Sequence, residues 1–165
     1  MLFRSFQRLY HEAFHAYLEN HVLPSERYCV PRWLSEGLAQ IFETGQLDGD
    51  TLRVDAPEAG RLRRLQADLA GAKPLTIQDV LTADERAFLA AHAGGGAERQ
   101  YLYSWGLAWY LTFEENLLGR TEVYRVLAEP QQSNPATSFA RLVNRPLTKF
   151  ESTWREAMLA LKAGP

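Results

Sequence analysis

The first twenty residues of the chain carry apolar side chains at intervals of three and four positions. These are Phe3, Phe6, Leu9, Tyr10, Ala13, Phe14, Tyr17 and Leu18. Such spacing gathers the apolar groups on one face of an α-helix, whereas a half-buried strand needs strict alternation. Because Pro24 cannot continue a helix, the sequence predicts a helix from about Leu2 to His21. His11 and His15 lie four positions apart on it.

Helical spacing continues through most of the remaining chain. A second helix is predicted between Pro31 and Gly45, and further helices over residues 58–70, 77–81, 83–91, 99–118, 122–127, 136–143 and 148–161. Thr148 and Glu151 form a capping-box pattern at the start of the last helix. Residues 46–57 lack a sustained period and predict a loop, with a short extended piece near 51–54. The predicted fold class is therefore all-α, predominantly helical, in one domain spanning residues 1–165.

Charge and hydropathy exclude two classes of partner. The chain has 18 basic and 20 acidic residues and a formal charge of −2, which gives no excess positive potential for binding a phosphate backbone, so nucleic acid is not an expected partner. No apolar run approaches the roughly 20 residues of a membrane span, and no secretory signal is evident, so no membrane partner is expected. If Met1 is the native start, the expected location is cytoplasmic. The only cysteine, Cys29, permits no internal disulfide and is interpreted as a packing residue.

The helix that carries His11 and His15 contains the pattern His-Glu-x-x-His, with Glu12 between the two histidines. Residues four apart share a helix face, so both imidazoles can bind one metal ion, typically Zn²⁺. Glu12 is adjacent to that face, where a carboxylate can act as general base without being a ligand. A chance match to this pattern is expected in roughly one of a hundred chains of this composition. A catalytic zinc site also needs a third protein ligand.

A second pattern lies on the next predicted helix. It reads Trp33-Leu34-Ser35-Glu36-Gly37-Leu38-Ala39, with Glu36 21 positions after His15. Together the two patterns resemble the gluzincins, a clan of zinc metallopeptidases in which a glutamate about twenty residues beyond His-Glu-x-x-His completes the site. The resemblance implies Zn²⁺ bound by His11, His15 and Glu36. The apolar neighbours of Glu36 agree with a paired role, because an unpaired buried charge is costly, and Gly37 permits close helix packing.

The resemblance extends to the predicted helix at 99–118. The segment Tyr101-Leu102-Tyr103-Ser104-Trp105 is similar to the one that, in aminopeptidase-like gluzincins, supplies a tyrosine hydroxyl to the reacting carbonyl oxygen. This implies a catalytic role for Tyr101, with Tyr103 as the fallback; the alternative is an aromatic core residue. The pattern from Phe139 to Trp154 adds a likeness to uncharacterised peptidase-MA-like proteins.

The sequence departs from the gluzincin pattern in two places. In gluzincins an acidic residue that orients a zinc-bound histidine often stands four positions after the third ligand. In this chain that position is Gln40, whose amide oxygen can accept a hydrogen bond but carries no charge. Gluzincins also usually have a β-sheet before the His-Glu-x-x-His helix. Only ten residues precede His11, so the fold is expected to be zincin-like but to lack most or all of that sheet.

The expected function is zinc-dependent hydrolysis of peptide bonds, with a peptide or protein as substrate. Two alternatives stay open: a non-catalytic, zinc-stabilised module that binds peptides or proteins, and an all-α interaction domain without metal. His21 and His92 lack a partner at ligand spacing and are interpreted as surface residues. The basic run Arg61, Arg63 and Arg64 is interpreted as a solvated helix face. Substrate identity, endo- or exopeptidase action and oligomeric state do not follow from the sequence.

Overall fold

The computed structural model describes residues 2–89, 96–117, 120, 123, 126 and 134–163. These residues are predominantly helical, so the predicted all-α class is confirmed. The elements in chain order are α1 (Leu2–Tyr17) with a π-helical continuation (Leu18–Val22), α2 (Arg32–Glu43), β1 (Gln46–Asp48), β2 (Thr51–Arg53), α3 (Ala59–Leu69), α4 (Ile77–Thr82), α5 (Glu85–Leu89), α6 (Gly96–Trp109) with a π-helical continuation (Tyr110–Glu114), α7 (Pro135–Leu142) and α8 (Leu147–Ala160). The described part of the chain contains no helix long and apolar enough to cross a membrane.

The predicted loop at 46–57 contains a small β-hairpin. Strands β1 and β2 pair antiparallel, with Gln46 opposite Arg53 and Asp48 opposite Thr51. Gly49 in the connecting turn has a φ of 61°, a left-handed conformation that glycine adopts without a steric penalty. The extended piece predicted near 51–54 is therefore confirmed, while its partner β1 was missed. Within the described residues this hairpin is the only sheet, and it follows α2.

The predicted capping box at the start of the last helix is wrong. Helix α8 begins at Leu147 after Pro146 and has no side-chain cap, because this start places Thr148 inside the helix. Glu151 instead binds Arg155 through a hydrogen bond of 2.6 Å and accepts one from the backbone N–H of Ile77. A capping box does form at α4, between Thr76 and Asp79.

Several predictions fall wholly or partly outside the described residues. The helix predicted at 83–91 is present as α5 over residues 85–89, and its last two positions are not described. The helix predicted at 122–127 lies mostly outside the described residues, as does His92. The helices predicted at 58–70, 77–81 and 136–143 match α3, α4 and α7 within about one residue at each end.

Helix α2 is central because it packs against both α1 and α6, most extensively against α6. Its contact with α6 depends on Gly37: a Cβ atom there would lie 2.3 Å from the carbonyl oxygen of Ser104. The absence of a side chain therefore permits the close approach that the sequence predicted. On the far side of α6, Trp105 and Trp154 are almost completely buried. This packing fixes α1, α2 and α6 relative to one another, and all three contribute side chains to one cleft.

Candidate metal centre

Three of the predicted site residues come together between α1 and α2. The Nε2 atoms of His11 and His15 are 3.1 Å apart. Oε2 of Glu36 lies 3.3 Å from Nε2 of His11 and 3.7 Å from Nε2 of His15. A tetrahedral zinc with bonds of 2.0–2.1 Å separates its ligand atoms by about 3.3–3.4 Å, so the three atoms fit such an ion. Among the described residues this is the one group of three or more potential metal ligands.

The cluster is buried on one side and open on the other. The side chain of Glu36 is 9% exposed, whereas those of His11 and His15 are 16% and 20% exposed. The carboxylate therefore lies deepest, where pairing offsets its desolvation. The open side leaves room for a non-protein ligand, which distinguishes catalytic zinc sites from closed structural ones.

Each histidine is oriented by a partner on α2. Nδ1 of His11 lies 2.7 Å from Oε1 of Glu43, and Nδ1 of His15 lies 3.0 Å from Oγ of Ser35. Because a carboxylate can only accept, a neutral His11 donates its Nδ1 proton to Glu43 and directs its Nε2 lone pair into the cluster. Sequence reasoning missed both partners. The available signal was that Glu43 stands seven positions after Glu36, two turns along the same face of α2.

Arg61 holds Glu43 in place. One guanidinium nitrogen, NH2, lies 2.7 Å from Oε2 of Glu43, and NH1 donates to the carbonyl oxygen of Gln40 at 2.7 Å. The Arg61 side chain is only 14% exposed and its guanidinium lies 5.8 Å from the ring centroid of Trp105. Its interpretation as part of a solvated helix face is therefore wrong, although Arg63 and Arg64 are exposed as predicted.

Gln40 does not replace the missing acidic partner of a histidine. Its Nε2 donates to the carbonyl oxygen of Tyr101 at 2.9 Å and lies 3.3 Å from the carbonyl oxygen of Glu36. The acidic partner of His11 is Glu43, three positions further along α2. Gln40 instead ties α2 to the start of the buried part of α6.

Glu12 of α1 and Tyr101 of α6 line the same cleft as the cluster. A cavity of about 540 Å³ is lined by both residues, the three clustered side chains and Arg32. A second cavity of about 480 Å³ continues past His11, Glu12 and Tyr101 toward Arg61. Both side chains that were assigned catalytic roles are thus brought to the cluster, with Glu12 exposed and Tyr101 half-buried.

Tyr103, the fallback, is not at the cleft. It is completely buried, and its hydroxyl donates to Oδ2 of Asp68 at 2.5 Å and accepts from the backbone N–H of Leu75 at 3.2 Å. Residues two positions apart on a helix point to different sides, so only one of the two tyrosines can face α1. The fallback assignment is wrong.

The charges around the cluster favour a cation. Three carboxylates lie there with two guanidinium groups: Glu12, Glu36 and Glu43 with Arg32 and Arg61. Hydrogen bonds with Glu36 and Glu43 raise the pKa of His11 to about 9, against the lowering effect of burial. Burial raises the pKa of Glu36, but hydrogen bonds from His11 and His15 outweigh it and hold the pKa at about 2. Without a metal, a proton on His11 therefore supplies positive charge that a divalent cation can replace.

The remaining candidate ligands lie apart from the cluster. His21 is exposed and contacts the ring of Tyr17 at 5.6 Å between centroids. Cys29 is a half-buried free thiol and is not in the metal-ligand group. The exposure of His21 confirms its interpretation as a surface residue.

Comparison with protein families places most of the chain in one of them. A family described as a protein of unknown function (DUF1570) matches residues 6–136, a span that includes every residue of the cluster and Tyr101. Neither the curated proteins nor the solved structures contain a match to this chain.

Proposed function

We propose that this chain, which belongs to the DUF1570 family, is a zinc-dependent hydrolase of peptide bonds related to the gluzincins. The observation that carries the proposal is the convergence of His11, His15 and Glu36 on one point at separations of 3.1–3.7 Å. Two imidazoles and one carboxylate beside an open cleft are the ligand set of catalytic rather than structural zinc sites. His11, His15 and Glu36 would hold the ion.

The donor set favours a transition metal such as zinc over calcium and magnesium. Calcium and magnesium prefer oxygen ligands, in larger numbers, and two nitrogen donors in a set of three are unsuited to them. Imidazole nitrogen binds zinc well, and the hydrogen bond from Nδ1 of His11 to Glu43 favours the tautomer of His11 that offers Nε2. Bound zinc would supply a Lewis acid that lowers the pKa of water toward 7 and polarises a carbonyl group.

Glu12 is positioned to move the proton of the reaction. Its carboxylate lies in the cleft beside the ligand helix face but is not part of the ligand group. In peptide hydrolysis it accepts a proton from the attacking water as the carbon–oxygen bond forms, and donates that proton to the amine nitrogen as the carbon–nitrogen bond breaks. The carboxylate is thus regenerated in each cycle.

Tyr101 is positioned to bind the reacting oxygen. Tyr101 lines the same cleft, and its backbone carbonyl accepts the Gln40 hydrogen bond, which ties this part of α6 to α2. A hydroxyl donor at a developing oxyanion contributes about 2.7–4 kcal/mol to transition-state stabilisation.

One experiment tests the proposal directly. The purified chain is stripped of metal, reconstituted with zinc, and analysed for metal content and for cleavage of a peptide library by mass spectrometry. We expect about one zinc per chain and new peptide termini that disappear on chelation and in Glu12→Gln.

The possible results separate the alternatives. Less than about a tenth of an equivalent of zinc after reconstitution would contradict the metal centre and favour a metal-free interaction domain. Tight zinc binding without any cleavage would favour the non-catalytic, zinc-stabilised module. Cleavage that persists in Glu12→Gln would point to a contaminating peptidase.

A further inference from the structure

Arg32 lies in the cleft without a role in the reaction as described so far. It is the first residue of α2, one helical turn before Glu36, and its side chain is 38% exposed. Its NH2 atom lies 3.4 Å from Oε1 of Glu36. Since Oε2 of the same carboxylate lies beside the two imidazoles, Arg32 contacts the cluster directly through Glu36.

A buried ring holds Arg32 beside Tyr101. The guanidinium carbon lies 5.6 Å from the ring centroid of Phe88, a cation–π distance. The Phe88 ring in turn packs edge-to-face against Tyr101, with centroids 5.3 Å apart, and is only 2% exposed. One rigid aromatic side chain thus orients both polar groups toward the cleft.

We propose that Arg32 and Tyr101 form a paired oxyanion site at the edge of the metal cluster, in which Arg32 supplies positive charge to the reacting oxygen. The proposal rests on the proposed function, and its ligand class is a tetrahedral oxyanion such as the one formed when water adds to a peptide carbonyl. Arg32 is then a catalytic residue in its own right.

Hydrogen-bond chemistry supports the pairing. A guanidinium can only donate, so a tyrosine hydroxyl beside it accepts from Arg32 and keeps its own proton for a substrate oxygen. Burial raises the pKa of Tyr101, and the neighbouring Arg32 opposes that rise. With five N–H groups, Arg32 can contact Glu36 and an oxyanion at the same time.

The location of Arg32 also favours the reacting carbonyl over a substrate's terminal carboxylate. A terminal carboxylate lies at least one residue beyond the scissile bond, roughly 3.8 Å further along the chain. Arg32 instead contacts a residue of the ligand group itself. If Arg32 interacted only with Glu36, it would be a counter-ion for that carboxylate. Its substitution would then lower metal affinity, which distinguishes this role from oxyanion binding.

The test uses the full chain with cobalt in place of zinc, because cobalt gives a visible absorption band that responds to bound anions. Inorganic phosphate is the probe. The variants are Arg32→Gln and Arg32→Lys, with Arg53→Gln, an exposed arginine of the hairpin at 59% side-chain exposure, as the matched control. Metal affinity is measured for each by competition with a chelator.

We expect the dissociation constant of phosphate to rise about 10–100-fold in Arg32→Gln, as for loss of a hydrogen bond between charged groups, and less in Arg32→Lys. Metal affinity should change by less than the phosphate constant does in each variant, because Arg32 contacts Oε1 of Glu36 and not Oε2, the oxygen that lies beside the imidazoles. Where peptide hydrolysis is measurable, Arg32→Gln should lower kcat with little change in KM, because the interaction forms in the transition state.

Three results would overturn the proposal: no phosphate binding by the cobalt protein, an unchanged phosphate constant in Arg32→Gln, or a loss of metal affinity that parallels the loss of phosphate binding. The last result assigns Arg32 to Glu36 as a counter-ion. A chain that binds no cobalt would overturn the metal centre as well, whereas metal binding with unaltered phosphate affinity would leave the proposed function intact.

Discussion

Nδ1 of His11 and Oε1 of Glu43 lie 2.7 Å apart, although 32 positions separate the residues. The hydrogen bond fixes the rotation of the imidazole and directs its Nε2 atom into the His-His-Glu cluster. Arg61 binds the second oxygen of the same carboxylate at 2.7 Å. Residues on three helices therefore determine the direction of this one nitrogen atom. A substitution of Glu43 should consequently weaken metal binding.

Glu43→Gln is expected to raise the dissociation constant of zinc about 10–100-fold. The amide keeps the shape of the side chain but weakens the polarisation of His11 and leaves Arg61 without its anionic partner. Competition with a chelator of known affinity measures the change. Glu98→Gln is the matched control, because the Glu98 side chain is 71% exposed. Equal affinities for Glu43→Gln and the control would show that the hydrogen bond contributes nothing to the site.

The three residues of the candidate cluster could be predicted from sequence, the two histidines from their local spacing and Glu36 from the resemblance to the gluzincins. The interval between His11 and His15 is one helical turn, and Glu36 belongs to a pattern on the next helix. Glu43 could not be found in the same way. Positions four and seven after Glu36 share a face of α2, and which of them meets His11 depends on how α1 crosses α2, which local pattern does not encode. The family pattern therefore pointed to position 40, where Gln40 stands, whereas the carboxylate that binds His11 is Glu43.

Tertiary contacts account for the other errors. Arg61 is charged and lies in a basic run, so the sequence predicts an exposed side chain. In the structure it binds Glu43 and packs against the ring of Trp105. Thr148 and Glu151 match a capping box, but the helix begins before Thr148, so its hydroxyl is no longer at the cap position. Helix existence was predictable from periodicity, whereas helix starts and side-chain partners depend on neighbouring elements.

Gly37→Ala is expected to destabilise the protein by about 1–3 kcal/mol, as overpacking does. Alanine favours a helix over glycine by about 1 kcal/mol. Here, however, the new methyl group would lie 2.3 Å from the carbonyl oxygen of Ser104, and backbone cannot yield as a flexible side chain can. Chemical denaturation measures the change in the free energy of unfolding. A stabilised variant would mean that α2 and α6 separate at little cost.

The stability contributed by Asp68 is expected to depend on pH. Burial raises the pKa of this carboxyl, but hydrogen bonds from Arg99 and Tyr103 outweigh burial and lower it overall. A group with a lowered folded pKa stabilises the protein fully above its unfolded pKa, about 3.9 for aspartate, and loses that contribution as pH falls through the folded value. The difference in unfolding free energy between wild type and Asp68→Asn should therefore shrink from about pH 6 to about pH 3.

Urea unfolding at a series of pH values measures the difference in unfolding free energy. The contributions of the carboxylates that both proteins share cancel from this difference. Asp55→Asn serves as the control, because the Asp55 side chain is 61% exposed and its ion pair with Arg53, at 3.6 Å, is also exposed. A difference for Asp68→Asn that is constant across the pH range would contradict the assigned cause.

Zinc is expected to raise the melting temperature of the wild type, because a ligand that binds only the native state stabilises it. At a free zinc concentration 100-fold above the dissociation constant, the gain is about 2.7 kcal/mol, or roughly 5–10 °C for a chain of this size. His15→Ala should abolish both the zinc binding and the rise, whereas the exposed His21→Ala should keep both. A zinc-independent melting temperature in the wild type would argue that α1 and α2 do not share a metal.

The contrast between Glu12→Gln and Glu36→Gln separates the roles of the two carboxylates. Glu36 lies in the ligand group with Oε2 3.3 Å from Nε2 of His11, while Glu12 lies in the cleft outside that group. Glu12→Gln should keep about one zinc and lose hydrolysis, because a general base can lose its charge without altering the ligands. Glu36→Gln should weaken zinc binding itself, since it removes the anionic ligand and leaves two imidazoles. Equal loss of zinc in both variants would make Glu12 a ligand or a structural support, and full retention in both would place Glu36 outside the site.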